Sequence, residues 1–332
     1  MNFIGYDHQN KPAPIRLFHD DDNLKIILLH ESLGALDGII GNTDISRVFF
    51  ALSFSWNFDD DKCVICKNFI EQLCEKYPHA KNLILSNIIF LMNSASELHR
   101  ARAIMPEIAS AHVNNASFLS ERQLYIKHST ILYNAVINAK NFLFKRHYLA
   151  QDVADIVAIS YDTSAHEAKI KSFDISDFAS KIYESIPEEQ ITDILCQANC
   201  GLALSEVEGA CYASAEYLLC GLPVVSTISL GGRSDFYDSY NSLIVEASPG
   251  AVADGVHEFK ARRLRGDIDP ELIRSSTISR MKIFRARLVE EFSRMTNVDY
   301  HVIDERLNFC LSDSNKLWGY KNFWLQHVCI SS

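Results

Sequence analysis

The chain has 332 residues, of which 48% are apolar and 22% charged. This is the composition of an ordinary globular protein, and it excludes a disordered, collagen-like or coiled-coil chain as a whole. At roughly 100 to 200 residues per domain the length implies two domains. Thirty-two Lys and Arg stand against 42 Asp and Glu, a net charge of −10, so the surface as a whole repels polyanions and nucleic acid is not an expected partner.

No stretch reaches the roughly 18 uncharged apolar residues that a membrane span requires. The opening MNFIGYDHQNKPAPIR lacks the charged-then-apolar pattern of a signal peptide, so a cytoplasmic location is expected. Nine cysteines, an odd number without framework spacing, include one CxxC at Cys63 and Cys66. A structural zinc needs a second ligand pair, and His79 and His99 are poor candidates for it. Buried, reduced thiols are the simpler reading, and no metal is expected.

In chain order, KIILLH (25–30) and LILSNIIFLM (83–92) read as buried strands or a strand–helix junction, because short uninterrupted apolar runs suit elements covered on both faces. Residues 119–150 contain neither Gly nor Pro and space their apolar residues helically, with Ser120 as a cap. A helix leading into the second domain is expected there. DIVAISY (155–161) is a strand candidate, and IPEEQITDILCQA (186–198) an amphipathic helix with Pro187 in its first turn. CGLALS (200–205), CYASAEYLLCG (211–221) and LPVVST (222–227) read as strand, helix and strand, a βαβ unit with parallel strands and a right-handed crossover. The class is doubly wound α/β, with domains at 1–148 and 149–332.

Ligands of open parallel sheets bind at the carboxyl ends of the strands, where loops meet helix N-termini. That edge holds Ser205, Glu206, Glu208 and Gly209, and Gly209, Ala210, Ala213 and Ser214 are small enough for an anion to approach the backbone. The helix that follows offers unpaired N–H groups and a positive dipole end, a seat for a diphosphate.

The run GLALSEVEGACYASAEYLLCGLPVVSTISLGGRSDFYDSYNSLIV (201–245) resembles the donor-site signature of family 4 retaining glycosyltransferases. Glu208 and Glu216 match the family's glutamates with seven residues between them; a GxPVV strand follows at Gly221–Val225 and a GG turn at Gly231 and Gly232. Asn241–Val245 resembles its N-G-L-L-V strand, with Ser242 in place of Gly. The resemblance implies the GT-B fold, two Rossmann-like domains facing across a cleft with the last helix packing back on the first. It also implies transfer of a sugar from a nucleotide-diphosphate sugar to a glycan or glycolipid, with retention and no cofactor required besides that donor.

By the same resemblance Glu208 would lie beside the donor sugar and stabilise the charge developing at the anomeric carbon. Glu216, two helical turns further on, would accept hydrogen bonds from the ribose. The family's G-R-L-x-x-K-G arrangement is missing, and SYDTSAHEAK (160–169) stands in its place. Lys145 and Arg146 are the nearest basic pair for the diphosphate, though an ordinary charged helix end reads the same way; Arg233, next to the GG turn, is a further candidate. On the acceptor side His30 ends a strand-like run, and His112, Asn115 and Glu121 fall in the polar stretch HVNNASFLSER, for which a capped turn is the blander reading.

The runs DDD (20–22) and DDDK (59–62) and the pair Asp267 and Asp269 have DxD metal-binding spacing but follow no nucleotide-binding strand, so solvated turns are expected. Residues 260–287 carry nine Lys and Arg against Asp267, Asp269 and Glu271. That excess suits peripheral contact with anionic headgroups at the inner face of a membrane, whereas a helix balancing acidic neighbours is the commoner use of the pattern. The aromatic stretch 317–328 is expected to pack on the body. A non-catalytic GT-B-like partner or scaffold, which keeps the fold but not the reaction, is the alternative the missing phosphate motif leaves open.

Overall fold

The computed structural model describes residues 15–140, 142–160 and 175–313. Most of the 160–169 segment and the aromatic stretch 317–328 lie outside them. The described residues form two compact α/β units. One is made of those up to Phe118 together with those from Lys282 onward, the other of Leu119–Met281. Residues 119–148, which the sequence boundary left in the first domain, therefore fall in the second unit.

In the first unit β1 (Ile15–Asp20) and β2 (Lys25–His30) form an antiparallel pair, then α1 (Ala35–Asn42), β3 (Val48–Ser53), α2 (Asp60–Lys76), α3 (Lys81–Ser86), β4 (Ile88–Met92), α4 (Ala95–Ile104) and β5 (Ala109–His112) follow. The sheet order is β1-β2-β3-β4-β5, with β2 to β5 parallel. Its strands are apolar on both faces because both are covered. Ile27, Leu29, Phe50, Leu52 and Phe90 share one core with Leu36, Ile39, Ile70 and Leu73 of α1 and α2. The alternate residues Ile26, Leu28, Ala51, Ile89 and Leu91 share another with Leu288, Phe292, Ile303 and Leu307 of the last two described helices.

The first acidic run ends β1 and enters a turn. The second is more than a solvated turn, since Asp59 caps α2 by accepting from Lys62 N at 3.0 Å, where a carboxylate also favours the helix dipole. Cys63 and Cys66 lie on the buried side of α2, and burial pushes their thiols up to about 11 and about 12. Ser94 caps α4, and the fully buried Glu97 in its first turn accepts from Phe58 N at 2.9 Å and Asn93 N at 2.6 Å.

The second unit contains β6 (Tyr133–Asn138), β7 (Ile156–Ser160), β8 (Ala179–Glu184), α5 (Glu188–Leu195), β9 (Ala198–Ala203), α6 (Tyr212–Leu219), β10 (Val224–Thr227), β11 (Ser242–Val245) and α7 (Pro249–Leu264). Its six strands are all parallel in the order β8-β7-β6-β9-β10-β11. α8 (Pro270–Thr296) begins in this unit and ends in the first, followed by α9 (Tyr300–Asp313).

The helix expected over 119–150 does not form. That stretch holds β6, turns and two short 3-10 segments, Leu143–Lys145 and His147–Ala150. Absence of Gly and Pro permits a helix without requiring one. Tyr133, Val136 and Ile137 have β-branched or aromatic side chains that suit the centre of a sheet, where tertiary packing overrides spacing. The βαβ unit at 198–227 is as read, and Gly221 closes α6 with a φ of 74° that a left-handed cap requires.

The basic stretch 260–287 is spent largely inside the protein. Arg274 donates to the carbonyls of Leu124, Leu219 and Glu121, Arg280 to those of Asp235 and Tyr237, Arg263 to Asn199 O, Arg285 to Ser117 O and Arg287 to His112 O. Arg262 pairs with Glu258 and Arg265 with Asp267. Among the described residues no helix is long and apolar enough to cross a membrane.

Candidate functional site

Numbered within the second unit, its strands run 3-2-1-4-5-6, so β6 and β9 are the central pair from which the chain winds outward in opposite directions. The carboxyl ends of these two strands are where sheets of this order bind ligands, and the loops that follow them meet there: Glu206 N donates to Phe144 O at 3.3 Å. The loop after β6 carries Lys145 and Arg146. The loop after β9 carries Ser205, Glu206 and Glu208, and the loop after β10 carries Gly231, Gly232 and Arg233.

Two of these loops are tied together. Val207 bridges Leu230, Glu208 N donates to Leu230 O at 2.9 Å, and Gly232 N donates to Gly209 O at 2.7 Å. The approach is so close that a Cβ on Gly231 (φ 110°) would lie 1.7 Å from the Glu208 carbonyl oxygen. The GG turn is therefore the condition for placing Glu208, since only glycine permits both that φ and that distance.

Glu208 is 5% exposed. Its Oε1 accepts from both Lys145 Nζ and Ser205 Oγ. Ser205 Oγ in turn accepts from Arg233 Nη1 at 3.1 Å, and Arg233, 2% exposed, donates its Nη2 to Thr227 O at 2.6 Å. Arg146 is held in the left-handed region (φ 51°) and donates to Leu204 O and Thr227 Oγ1, both at 2.7 Å. Burial lowers the Arg146 pKa, yet a guanidinium stays charged at any physiological pH. Lys145 thus meets the buried Glu208 carboxylate directly and Arg233 reaches it through Ser205, while Arg146 is bonded to Leu204 and Thr227.

Glu208 lies in a loop, because α6 starts only at Tyr212. The helical-turn spacing expected between the two glutamates is thus not what relates them. Glu216 lies in α6, 4% exposed, and its Oε2 accepts from Asn138 Nδ2 at 2.6 Å. Neither glutamate is on a solvated helix face. The N-cap of α6 is Cys211, also left-handed (φ 53°), which supplies no side-chain hydrogen bond to the first turn. Burial pushes its thiol up to about 11. A non-glycine residue in that region beside two other such constraints is the kind of stored strain found at ligand sites.

Gly209 and Ala210 are buried in the connection to α6, and the Ser214 hydroxyl is hydrogen-bonded to Tyr237 OH at 2.7 Å. The second unit thus brings together Lys145, Arg146, Ser205, Glu208, Gly209 and Arg233, with Glu216 on the following helix. Glu121 falls in the same unit, where its carbonyl accepts from Arg274.

His30, His112 and Asn115 belong to the other unit, at the carboxyl edge of its sheet. The His30 ring nitrogens meet Ser53 Oγ at 2.7 Å and Ser55 Oγ at 2.6 Å. His112 packs its ring against Phe284. Asn115 donates to Phe54 O, and its backbone N–H reaches Asn93 Oδ1, both at 3.0 Å.

Sequence reasoning missed Asn138 and Thr227. Asn138 closes the apolar run AVIN at the carboxyl end of β6, and reading that run as a strand would have put it on the binding edge. Thr227 ends β10 and serves both arginines, its carbonyl taken by Arg233 and its hydroxyl by Arg146.

No protein-family profile matches the chain, and no curated protein matches it in sequence. In structure it is similar to TarM, with a TM-score of 0.58 and 14% identity over 82% of this chain and 55% of TarM. It is also similar to Anabaena HepE in complex with UDP, with a TM-score of 0.53 and 13% identity over 86% of this chain and 79% of HepE. The N-terminal domain of Candida albicans trehalose-6-phosphate phosphatase matches with a TM-score of 0.53 and 9% identity over 87% of this chain and 70% of that one. The fold is α/β of the GT-B type, with two parallel-sheet Rossmann-like units. This chain spans about half the length of TarM.

Proposed function

We propose that the protein is a glycosyltransferase that moves a sugar from a nucleoside-diphosphate sugar to a glycan or glycolipid acceptor, with retention and without a required metal. One observation carries this reading: the buried Glu208 carboxylate at the switch point of a 3-2-1-4-5-6 sheet, flanked by Lys145, Arg146 and the start of α6. HepE, a protein of the same fold, has been crystallised with UDP and with UDP and glucose. The motif resemblance of residues 201–245 points to the same donor class.

In this reading the donor diphosphate lies at the first turn of α6 within reach of Lys145 and Arg146, which offset the charge gained by the leaving nucleotide. Glu216 takes the ribose hydroxyls, with Asn138 fixing its other oxygen. Glu208 lies near the anomeric carbon and stabilises its developing positive charge, so its work is electrostatic and needs no proton transfer. His30, His112, Asn115 and Glu121 remain candidates for the acceptor side. The protein acts in the cytoplasm, and residues 260–287 have few cations left over for a membrane surface.

A thermal-shift panel of nucleoside diphosphates and nucleotide sugars, with and without EDTA, tests the reading. Selective stabilisation that resists EDTA and is lost in Glu216→Ala supports it, because a ligand that binds only the folded state raises apparent stability. Absence of any shift favours the non-catalytic scaffold.

A further inference from the structure

Arg233 was a candidate for the donor phosphate, but its surroundings give it another task. Arg233 is 2% exposed, and its two Nη atoms donate to Ser205 Oγ and Thr227 O. Ser205 is itself 3% exposed, and its hydroxyl has one proton to give. Because Arg233 occupies a lone pair on Ser205 Oγ and a guanidinium cannot accept, the hydroxyl proton goes to Glu208 Oε1. The Lys145 ammonium approaches the same oxygen. Among the described residues nothing else bonds this carboxylate, so the two donors fix Oε1 and leave Oε2 for a substrate.

Resting on the donor-site reading above, we infer that Arg233 and Ser205 are positioning residues that hold the Glu208 carboxylate in one orientation, and that neither contacts the donor. Buried polar relays of this kind act as a unit, because each member fixes the hydrogen-bond direction of the next. The anchor is backbone: Thr227 O at the end of β10 holds the guanidinium, so the orientation of Glu208 is referred to the central sheet rather than to a surface loop. Lys145, with a side chain 16% exposed, is the member of the cluster placed to exchange Glu208 for a diphosphate. Arg233 is not.

The test uses Ser205→Ala, which removes one oxygen, and Arg233→Met, which keeps the length of the side chain without its charge. Crystal structures of both variants should show the Glu208 carboxylate displaced or in two orientations while α6 and the GG turn are unchanged. In kinetics, turnover should fall about 10- to 100-fold, the range of a lost orienting partner, with affinity for UDP, measured calorimetrically, within twofold of wild type. Ser205→Thr, which keeps the hydroxyl, should restore turnover. Arg233→Met added to Glu208→Gln should cost nothing beyond Glu208→Gln alone, as expected of residues acting through one group.

An undisturbed Glu208 in both crystal structures, or a loss of UDP affinity in parallel with turnover, overturns the inference. If wild-type protein binds neither UDP nor any other nucleoside diphosphate, the donor reading fails by itself, and the crystal structures still decide whether the relay orients Glu208. Should Arg233→Met fail to fold, Ser205→Ala carries the same readouts.

Discussion

Asn138 Nδ2 donates to Glu216 Oε2 at 2.6 Å while its own backbone N–H donates to Tyr217 OH at the same distance. One residue at the end of β6 thus clamps two consecutive side chains of α6, and it does so at the point where the strand order reverses. The Tyr217 ring reaches there because Gly201 on β9 has no side chain: a Cβ would lie 2.1 Å from the ring. Strand β6, strand β9 and helix α6 are locked through these four residues, which fixes the carboxylate of Glu216 before any ligand arrives.

Asn138→Ala should therefore weaken nucleotide binding by about 10- to 150-fold, since losing a hydrogen bond to a charged group costs about 1.5–3 kcal/mol. Asn138→Asp should be worse, because it sets a second carboxylate against Glu216. Titration calorimetry with the nucleotide that stabilises wild type most would measure both, and an Asp variant that binds as well as wild type would refute the clamp.

Glu208→Gln should lower transfer by about 10²–10³-fold, the usual cost of one electrostatic group at a reacting centre. It also breaks a nearly buried ion pair with Lys145, whose side chains are 16% and 7% exposed, so a stability loss of about 1–3 kcal/mol should accompany it. A denaturant melt separates the two effects. Full activity in a folded variant would remove Glu208 from the mechanism.

Two glycines should respond in opposite ways. Gly231→Ala meets backbone at 1.7 Å in a left-handed conformation, whereas Gly34 has nothing within 4 Å of where its Cβ would be. The first substitution should cost more than about 3 kcal/mol or prevent folding, and the second should stay within about 0.5 kcal/mol of wild type. Thermal melts of the pair calibrate how rigid the GG turn is.

The half of the fold that carries the candidate site was legible because its signals are local. A short apolar strand, a small-residue turn, a helix ended by Gly221 and a second strand leave little choice of arrangement. The segment 119–150 was not legible, because helix and strand readings of such a run differ only in which neighbours cover it, and those neighbours lie 60 to 80 residues away at β9 and α6. Side-chain commitment is hidden for the same reason. Nothing in GGRSD distinguishes an arginine that meets a phosphate from one that donates to Ser205 and Thr227, because one partner lies in the loop after β9 and the other is a backbone carbonyl. The basic excess at 260–287 shows the same gap: its charge is legible, but the carbonyls that absorb it are not.

His147, beside Lys145 and Arg146, gives the site loop its own dependence on acid. The ring is buried, Nε2 lies 2.9 Å from Lys140 O, and burial lowers the pKa from the ordinary 6.5. Nε2 therefore carries the proton of a neutral imidazole and donates it to that carbonyl. The unfolded chain takes up a proton near pH 6.5 and the folded chain only at lower pH, so in that window the unfolded state binds more protons and stability rises with pH. The contribution is complete above about pH 6.5 and is lost as the pH falls through the folded value. Glu97 has the opposite sign, because burial raises its pKa above 4.5 and stability falls as the pH rises through the folded value. Urea denaturation at about pH 7.5 and pH 5.5 should show wild type less stable at the lower pH, and His147→Gln, which keeps a donor for Lys140 O but cannot titrate, should flatten that difference. An unchanged slope in the variant would mean that His147 is already protonated in the folded state and would remove it as the source of acid sensitivity beside Lys145 and Arg146.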